Sequence, residues 1–185
     1  MKIGFVGLGN VGGKLANNLL ENNFQLSVLD KNHILMDEFK YKGAKKAKSI
    51  KDLVMNSDIL ITCLPSPKIC AEVLESKEGI IDTIQKDQIW IEMSTTEDEQ
   101  LKKHASLIQQ KNAIALEAPV SGGCHRAATG NISIFVGGSR EGFNKAMPVL
   151  KCLGRKILYT GDFGSASILK VITNYLATVH LVALG

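Results

Sequence analysis

Residues 3–12 read Ile-Gly-Phe-Val-Gly-Leu-Gly-Asn-Val-Gly, which places a G-x-G-x-x-G pattern between a short apolar run and an amphipathic segment. After a strand and before a helix, this pattern predicts a dinucleotide-binding turn. Gly7 permits the tight turn, Gly9 lets a pyrophosphate approach the backbone, and Gly12 lets the helix lie close to the strand. The predicted cofactor-binding residues of this turn are Gly7, Leu8, Gly9, Asn10, Val11 and Gly12. The alternative interpretation is an ordinary glycine-rich turn.

Outward from this turn, apolar runs and amphipathic segments alternate up to about residue 120. This rhythm is typical of βαβ units around a buried parallel sheet. The predicted core strands cover residues 3–6, 26–29, 59–64, 89–92 and 113–116. A later strand pair, 132–136 and 156–159, flanks a predicted helix around residues 141–150. The sequence therefore predicts an α/β fold with a Rossmann-type doubly wound sheet, mostly parallel.

Asp30 stands at the end of the second predicted strand. A carboxylate at this place accepts hydrogen bonds from the ribose hydroxyls of an adenosine and repels a 2′-phosphate, which favours NAD over NADP. Lys31 follows directly, and a cation beside this place attracts such a phosphate, so NADP stays open. The alternative role of Asp30 is to cap the helix predicted for residues 32–41.

Composition and charge exclude several classes of function. The chain has 185 residues, 45% of them hydrophobic, and a formal net charge of +4, which is too weak and too evenly spread to indicate a nucleic-acid surface. The four cysteines form no C-x-x-C pair and have no histidine at zinc-ligand spacing, so we expect neither disulfides nor a metal site. Without a secretory signal at the N-terminus, we expect a cytoplasmic protein.

The last segment, residues 165–184, is apolar nearly all the way round and is predicted to form a buried helix. Its length approaches that of a membrane span, but Lys170, Asn174 and His180 lie inside it and favour burial against protein. The chain stops at Gly185 without a polar tail. We therefore expect a segment that belongs to a longer protein or needs a partner subunit.

Two segments carry the side chains expected to do chemistry. Ser121, with the backbone N–H groups of Gly122 and Gly123, offers an anion-binding cradle suited to a substrate carboxylate. Lys170 and Asn174 are spaced i, i+4 and project from one helix face. A lysine on an apolar helix is desolvated, which lowers its pKa and makes it a usable general acid or base, while Asn174 can orient the reacting hydroxyl. A snorkelling lysine is the alternative.

The sequence resembles the β-hydroxyacid dehydrogenases, the family of 3-hydroxyisobutyrate dehydrogenase, tartronate semialdehyde reductase and 6-phosphogluconate dehydrogenase. The resemblance follows the family order across nearly the whole chain, through residues 4–12, 63–65, 93–95, 118–123, Lys170 and Asn174. It implies that Lys170 is the catalytic lysine. The residues implied to hold substrate are Ser121, Gly122, Gly123 and Asn174. Those implied to line the cofactor site are Leu64, Pro65 and Thr95.

This chain departs from the family pattern at several positions. Glu117 stands where the family usually has Asp, Ala166 replaces a common glycine, and Thr173 occupies a position often held by Asn or His. Arg126 is a candidate for binding a second anionic group of the substrate. The alternative, which the sequence supports equally, is that Arg126 is a solvated loop residue.

Length is the largest departure from the family pattern. Family members continue into an all-helical domain that closes the active site and builds the dimer. The resemblance therefore implies a dinucleotide-binding domain over residues 1–162 and the first part of an inter-domain helix over residues 163–185, with the helical domain absent.

The predicted function is an oxidoreductase that transfers a hydride between NAD(P) and a small β-hydroxy acid, with Lys170 as general acid or base. The alternative is a non-catalytic dinucleotide-binding or assembly module of a truncated dehydrogenase. We expect a homodimer or higher homo-oligomer, and neither a nucleic-acid nor a membrane partner. Because the closing domain is absent, we expect the 185-residue chain by itself to turn over poorly.

Overall fold

The computed structural model describes residues 1–185 and contains nine strands and nine helices. The strands are β1 (Lys2–Val6), β2 (Gln25–Leu29), β3 (Lys45–Lys46), β4 (Ile59–Thr62), β5 (Ile89–Glu92), β6 (Ile114–Glu117), β7 (Val120–Ser121), β8 (Ile132–Gly138) and β9 (Gly154–Gly161). The helices are α1 (Gly12–Glu21), α2 (His33–Tyr41), α3 (Ile50–Met55), α4 (Pro67–Glu75), α5 (Ile80–Thr83), α6 (Asp98–Gln110), α7 (Gly123–Ala128), α8 (Arg140–Leu153) and α9 (Ser165–Leu184).

All the strands form one sheet in the order β3-β2-β1-β4-β5-β6-β8-β7, with β9 paired to β8. The strands from β3 to β6 are parallel, β8 is antiparallel to both β6 and β7, and β9 is parallel to β8. The strand order reverses at β1, which pairs with β2 on one side and β4 on the other. The predicted mostly parallel, doubly wound sheet is therefore confirmed, with its topological switch point between β1 and β4.

Side chains from successive strand positions pack on opposite faces of the sheet, because the side-chain period of a strand is two. Ile89 and Ile91 belong to the apolar core under α1, α2 and α8, while Trp90 belongs to the core under α3, α4 and α6. Helices thus cover both faces, and the central strands are apolar on both sides. The carboxyl ends of these strands meet along one edge of the sheet, where the candidate site lies.

Of the predicted strands, only residues 89–92 match the structure at both ends, and the other boundaries differ by one or two residues. Two of these differences lie at the carboxyl ends of central strands. The strand predicted for residues 59–64 ends at Thr62, because the Leu64 N–H donates to Ser94 Oγ at 2.7 Å and Pro65 has no N–H to offer a neighbouring strand. The strand predicted for residues 113–116 is shifted by one residue and ends at Glu117. Thr62 and Glu117 are both at carboxyl ends of strands, where the chain leaves the sheet.

Within this chain the last helix is not buried, and its predicted burial against a longer protein or a partner subunit stays a prediction. Only Ala166 of α9 is buried, and Ile168, Val171 and Tyr175 are among the large apolar side chains it exposes. The first turns of α9 lie against β8 and β9, and no other part of the chain covers the rest. By length and composition alone α9 could cross a membrane. The apolar side chains of α9 therefore form a surface that no other part of this chain covers.

Candidate cofactor and catalytic site

One cavity of about 930 Å³ lies at the carboxyl ends of β1, β2, β4 and β5. Most of the site residues predicted from the sequence line it, namely Gly7, Gly9, Asn10, Val11, Gly12, Asp30, Leu64, Pro65, Thr95, Gly123, Lys170 and Asn174. The structure therefore brings the glycine turn, the β2 carboxylate and the lysine helix together around a single space.

Four predicted site residues do not line this cavity. The Leu8 side chain packs in the apolar core, so only its backbone faces the turn. Ser121 pairs with Ser133 on β8, and Gly122 adjoins it. Arg126 is exposed on α7, and its stem packs beside Gly122, where an added Cβ would come within 2.9 Å of the arginine Cδ. Their proposed contacts with ligands therefore stay predictions.

The three glycines of the turn have different structural roles. Gly7 has a φ of +97°, and a Cβ there would overlap the carbonyl oxygen of Cys63. A Cβ on Gly12 would overlap the carbonyl oxygen of Gly7, which shows how closely α1 approaches the strand. A Cβ on Gly9, by contrast, meets no protein atom within 4 Å. Gly9 thus leaves its backbone open to the cavity, as a bound pyrophosphate requires.

Free backbone donors support the same conclusion. The N–H groups of residues 9–12 form no backbone hydrogen bond, and the N-terminus of α1 has neither a side-chain cap nor an acidic residue in its first turn. Helix N-termini of this kind attract anions, because unpaired N–H groups and the helix dipole both favour negative charge. The residues present therefore fit the pyrophosphate of a dinucleotide.

Asp30 ties the glycine turn to the connection after β2. Its Oδ2 accepts a hydrogen bond from the Leu8 N–H at 2.6 Å, and its Oδ1 accepts one from the Asn32 N–H at 2.7 Å. The cap of α2 is Asn32, whose Oδ1 accepts from the Ile34 N–H at 3.0 Å, so the capping role considered for Asp30 belongs to Asn32. Each carboxylate oxygen keeps a further lone pair for a ribose hydroxyl.

Glu92, at the end of β5, is a residue that sequence reasoning missed. It is 1% exposed, and its Oε1 accepts a hydrogen bond from the Ser94 N–H at 2.8 Å. Ser94 Oγ in turn accepts from the Leu64 N–H at 2.7 Å, so Glu92 helps to fix the cavity wall formed by residues 64–65 and 93–95. Burial raises the pKa of Glu92 to about 7, and its Oε2 has no hydrogen-bond partner. The signal in the sequence that could have identified Glu92 is its position as a charged residue at the end of an apolar strand.

We expect Glu92→Gln to stabilise the protein at alkaline pH. Since the folded pKa of about 7 lies above the ordinary value of 4.5, the acid favours folding when it is protonated. That advantage is lost as pH rises from 4.5 to 7, by about 3 kcal/mol in total. The neutral amide does not suffer this loss, so the variant should gain most of that amount at pH 8 and little at pH 4.5. Chemical unfolding at both pH values measures the difference.

The exposed residue Glu38 provides the control for this prediction, because Glu38→Gln removes a charge without changing a buried group. An equal effect of Glu92→Gln at both pH values would show that the Glu92 carboxyl does not titrate between them.

Glu117 joins the end of β6 to the start of α9. It is fully buried, and its Oε1 accepts hydrogen bonds from the N–H groups of Gly164 and Ala166, each at 2.7 Å. Its Oε2 accepts from the Ser167 hydroxyl at 2.5 Å and from the Ser167 N–H at 3.3 Å. The carboxylate therefore caps the helix that carries Lys170. In the sequence, Glu117 stood out only as a departure from Asp.

Lys170 and Asn174 lie one helical turn apart on the cavity wall. Lys170 is half-buried, and burial lowers the pKa of its ammonium group without a contribution from any charged neighbour. The Thr173 hydroxyl donates to the Lys170 carbonyl oxygen at 2.9 Å, so it is turned toward the helix backbone. An amine with a lowered pKa beside an amide side chain is suited to moving a proton to and from a hydroxyl group.

Comparisons with known proteins point to one family. A family model described as the NAD binding domain of 6-phosphogluconate dehydrogenase matches residues 2–161. The probable mitochondrial 3-hydroxyisobutyrate dehydrogenase of Dictyostelium discoideum is 33% identical to this chain, and the match covers 99% of this chain and 57% of that protein. The mitochondrial 3-hydroxyisobutyrate dehydrogenase of Rattus norvegicus is 34% identical to this chain, and the match covers 97% of this chain and 54% of the rat protein.

A solved structure of 3-hydroxyisobutyrate dehydrogenase from Mycobacterium tuberculosis with L-serine superposes on this chain with a TM-score of 0.92 and 26% sequence identity. The superposition covers 98% of this chain and 62% of the chain in that structure. The chain spans only about half the length of the curated relatives it matches. The resemblance seen in the sequence and the NAD cofactor it implied are confirmed at the level of the family. The chain belongs to the family of the NAD binding domain of 6-phosphogluconate dehydrogenase.

Proposed function

We propose that the complete protein is an NAD(P)-dependent dehydrogenase of small β-hydroxy acids, similar to 3-hydroxyisobutyrate dehydrogenase. The observation that carries this proposal is the position of Lys170 and Asn174 on the wall of the same cavity as the glycine turn. A module that only binds a dinucleotide has no need of a desolvated lysine there. The named relatives, which are dehydrogenases, support the same function.

In this proposal the free N–H groups of residues 9–12 hold the pyrophosphate, and Asp30 accepts the hydroxyls of the adenosine ribose. Leu64, Pro65 and Thr95 form the wall along the remainder of the cofactor. NAD supplies the acceptor for the hydride that leaves the carbinol carbon of the substrate. Neutral Lys170 takes the hydroxyl proton as the carbonyl bond forms, and in the reverse reduction its ammonium returns that proton.

The substrate carboxylate is proposed to bind at the segment between β7 and α7. Gly123 lines the cavity, and both Gly122 and Gly123 have a positive φ, which opens their backbone N–H groups to a ligand beside Ser121. Asn174 holds the reacting hydroxyl next to Lys170. Arg126 is proposed to contact a second anionic group on larger substrates from its exposed position on α7. These contacts orient the carbinol carbon toward the cofactor.

Three further expectations stay predictions: the division at residue 162, the cytoplasmic location and the homo-oligomer. The large apolar side chains that α9 exposes support a contact with another protein surface, since contiguous exposed apolar patches mark interaction sites.

A substrate panel tests the proposed function. The complete protein is given NAD⁺ and a set of small β-hydroxy acids, including 3-hydroxyisobutyrate and serine, together with matched α-hydroxy acids. We expect NADH to form with at least one β-hydroxy acid and not with its α-hydroxy isomer, because the distance between carboxylate and hydroxyl must match the distance from the Gly123 segment to Lys170. Binding of NADH without turnover of any hydroxy acid would favour the non-catalytic module.

Gly9→Val separates cofactor binding from folding. No protein atom lies within 4 Å of an added Cβ, so we expect the variant to keep the stability of the wild type. The new side chain occupies the space above the turn and should weaken NADH binding at least about tenfold, a loss of about 1.4 kcal/mol. Titration with NADH and thermal unfolding of both proteins provide the measurement. Unchanged NADH affinity would place the pyrophosphate elsewhere.

A further inference from the structure

An ion pair connects two walls of the cavity beside Asp30. Lys31 lines the cavity in the connection between β2 and α2, and its Nζ lies 3.2 Å from Oε2 of Glu72. Glu72 is on α4, the helix whose residues Ile69 and Val73 also line the cavity. The side chains of Lys31 and Glu72 are 81% and 49% exposed, so the pair lies at the rim, in contact with solvent.

The charges at this rim favour one kind of ribose. Asp30 and Glu72 contribute two carboxylates and Lys31 one ammonium, so the group carries a net negative charge. A ribose with free hydroxyls needs only the acceptor oxygens of Asp30. A 2′-phosphate adds a charge of about −2 and needs a cation, and the ammonium of Lys31, which follows Asp30 on the cavity wall, is already paired with Glu72.

We propose that Glu72 acts together with Asp30 in the dinucleotide specificity of this protein: it holds the Lys31 ammonium away from a 2′-phosphate and so strengthens the selection of NAD over NADP. This inference rests on the proposed position of the adenosine ribose beside Asp30. Glu72 acts from a helix that contributes no residue to the glycine turn or to the end of β2. The selection is therefore made jointly by two walls of the cavity.

The effect of removing Glu72 follows from the geometry. An exposed ion pair contributes little to stability, so Glu72→Gln should fold normally. The variant frees the Lys31 ammonium and removes one negative charge. We expect the Kd for NADPH to fall about fivefold to tenfold, while the Kd for NADH changes less than about twofold. Lys31→Gln should cancel the gain in the Glu72→Gln background and have a smaller effect on NADPH affinity in the wild type.

The test compares five forms of the complete protein at one low ionic strength, because salt screens exposed charges. They are the wild type, Glu72→Gln, Lys31→Gln, the double variant and the control Glu141→Gln. Glu141 forms an exposed pair with Lys145 at 2.7 Å on α8, and neither residue lines the cavity, so this control makes the same change in net charge away from it. Fluorescence titration of each form with NADH and with NADPH gives the ratio of the two Kd values.

A shift of the ratio toward NADPH in Glu72→Gln, absent from Glu141→Gln and cancelled in the double variant, supports the proposal. An unchanged ratio in Glu72→Gln, an equal shift in the control, or a shift that persists without Lys31 overturns it. A wild type that prefers NADPH also overturns it. If the wild type binds neither dinucleotide, the cofactor site itself is wrong, whereas binding of both with an unchanged ratio removes only the role of Glu72.

Discussion

Replacing Lys170 by Met in the complete protein is expected to lower kcat about 100- to 10,000-fold, which is the usual contribution of a general acid or base. The affinity for NADH should stay nearly unchanged, because the glycine turn and Asp30 form their contacts without Lys170. Methionine is unbranched and only one atom shorter than lysine, so the half-buried position remains largely filled. Steady-state kinetics and an NADH titration on the same samples measure the two quantities.

The pH dependence gives a second readout of the same residue. Burial lowers the pKa of Lys170 from its ordinary value of 10.5, and oxidation of a hydroxyl needs the neutral amine. The oxidation rate should therefore rise with pH through the lowered pKa, while the rate of the reverse reduction falls, and both changes should disappear in Lys170→Met. Lys151→Met, on the exposed end of α8, is the control for the loss of one positive charge. A variant at position 170 with normal kcat would contradict the catalytic role.

The fold was predictable from the sequence because its decisive features are local. The apolar run before Gly7 and the period of the following helix mark a βα unit without knowledge of any distant contact. Burial of α9 was not predictable in this way. Its apolar sequence indicates that it is covered by something, but the pattern of a helix does not state whether the cover comes from the same chain.

Site residues could be predicted from the sequence where the residue type and its neighbours in the chain together leave few alternative roles. A glycine triplet after a strand and a lysine on an apolar helix are of this kind, and the structure places both around one cavity. Glu117 was missed because its partner Gly164 lies far away in sequence. Glu92 was missed because it reaches the distant Leu64 only through Ser94, its own hydrogen-bond partner. A carboxylate at the end of an apolar strand indicates a buried polar contact, but the identity of the partner depends on the tertiary fold.

Glu117 illustrates how the fold sets the position of the helix that carries Lys170. The proposed substrate cradle begins at Ser121, four residues after Glu117, and Lys170 lies about one turn beyond the residues that donate to Glu117. One carboxylate thus holds the start of α9 against the strand that leads into the cradle. Close packing leaves little freedom here, since a Cβ on Gly137 would overlap Glu117 Oε1. A change at Glu117 should consequently affect both segments.

Glu117→Gln is therefore expected to destabilise the protein by about 2 to 4 kcal/mol. The amide oxygen can still accept from Gly164 and Ala166, but the amide nitrogen must face the Ser167 N–H, and two donors then meet in a buried site. Charge-assisted hydrogen bonds to three backbone N–H groups are weakened at the same time. Urea unfolding gives the loss of stability, and amide hydrogen exchange at residues 164–167 shows whether it is local to the start of α9.

Ser167→Ala is the matched comparison, because it removes the hydroxyl donor at 2.5 Å and leaves the carboxylate with its backbone partners. We expect this variant to lose only about 1 kcal/mol and to keep slow exchange at Gly164 and Ala166. In Glu117→Gln the same two amides should exchange faster than those of α1, which is covered by the core. If they stay protected in Glu117→Gln, packing of α9 against β8 and β9 holds the helix by itself, and the position of Lys170 does not depend on the buried carboxylate.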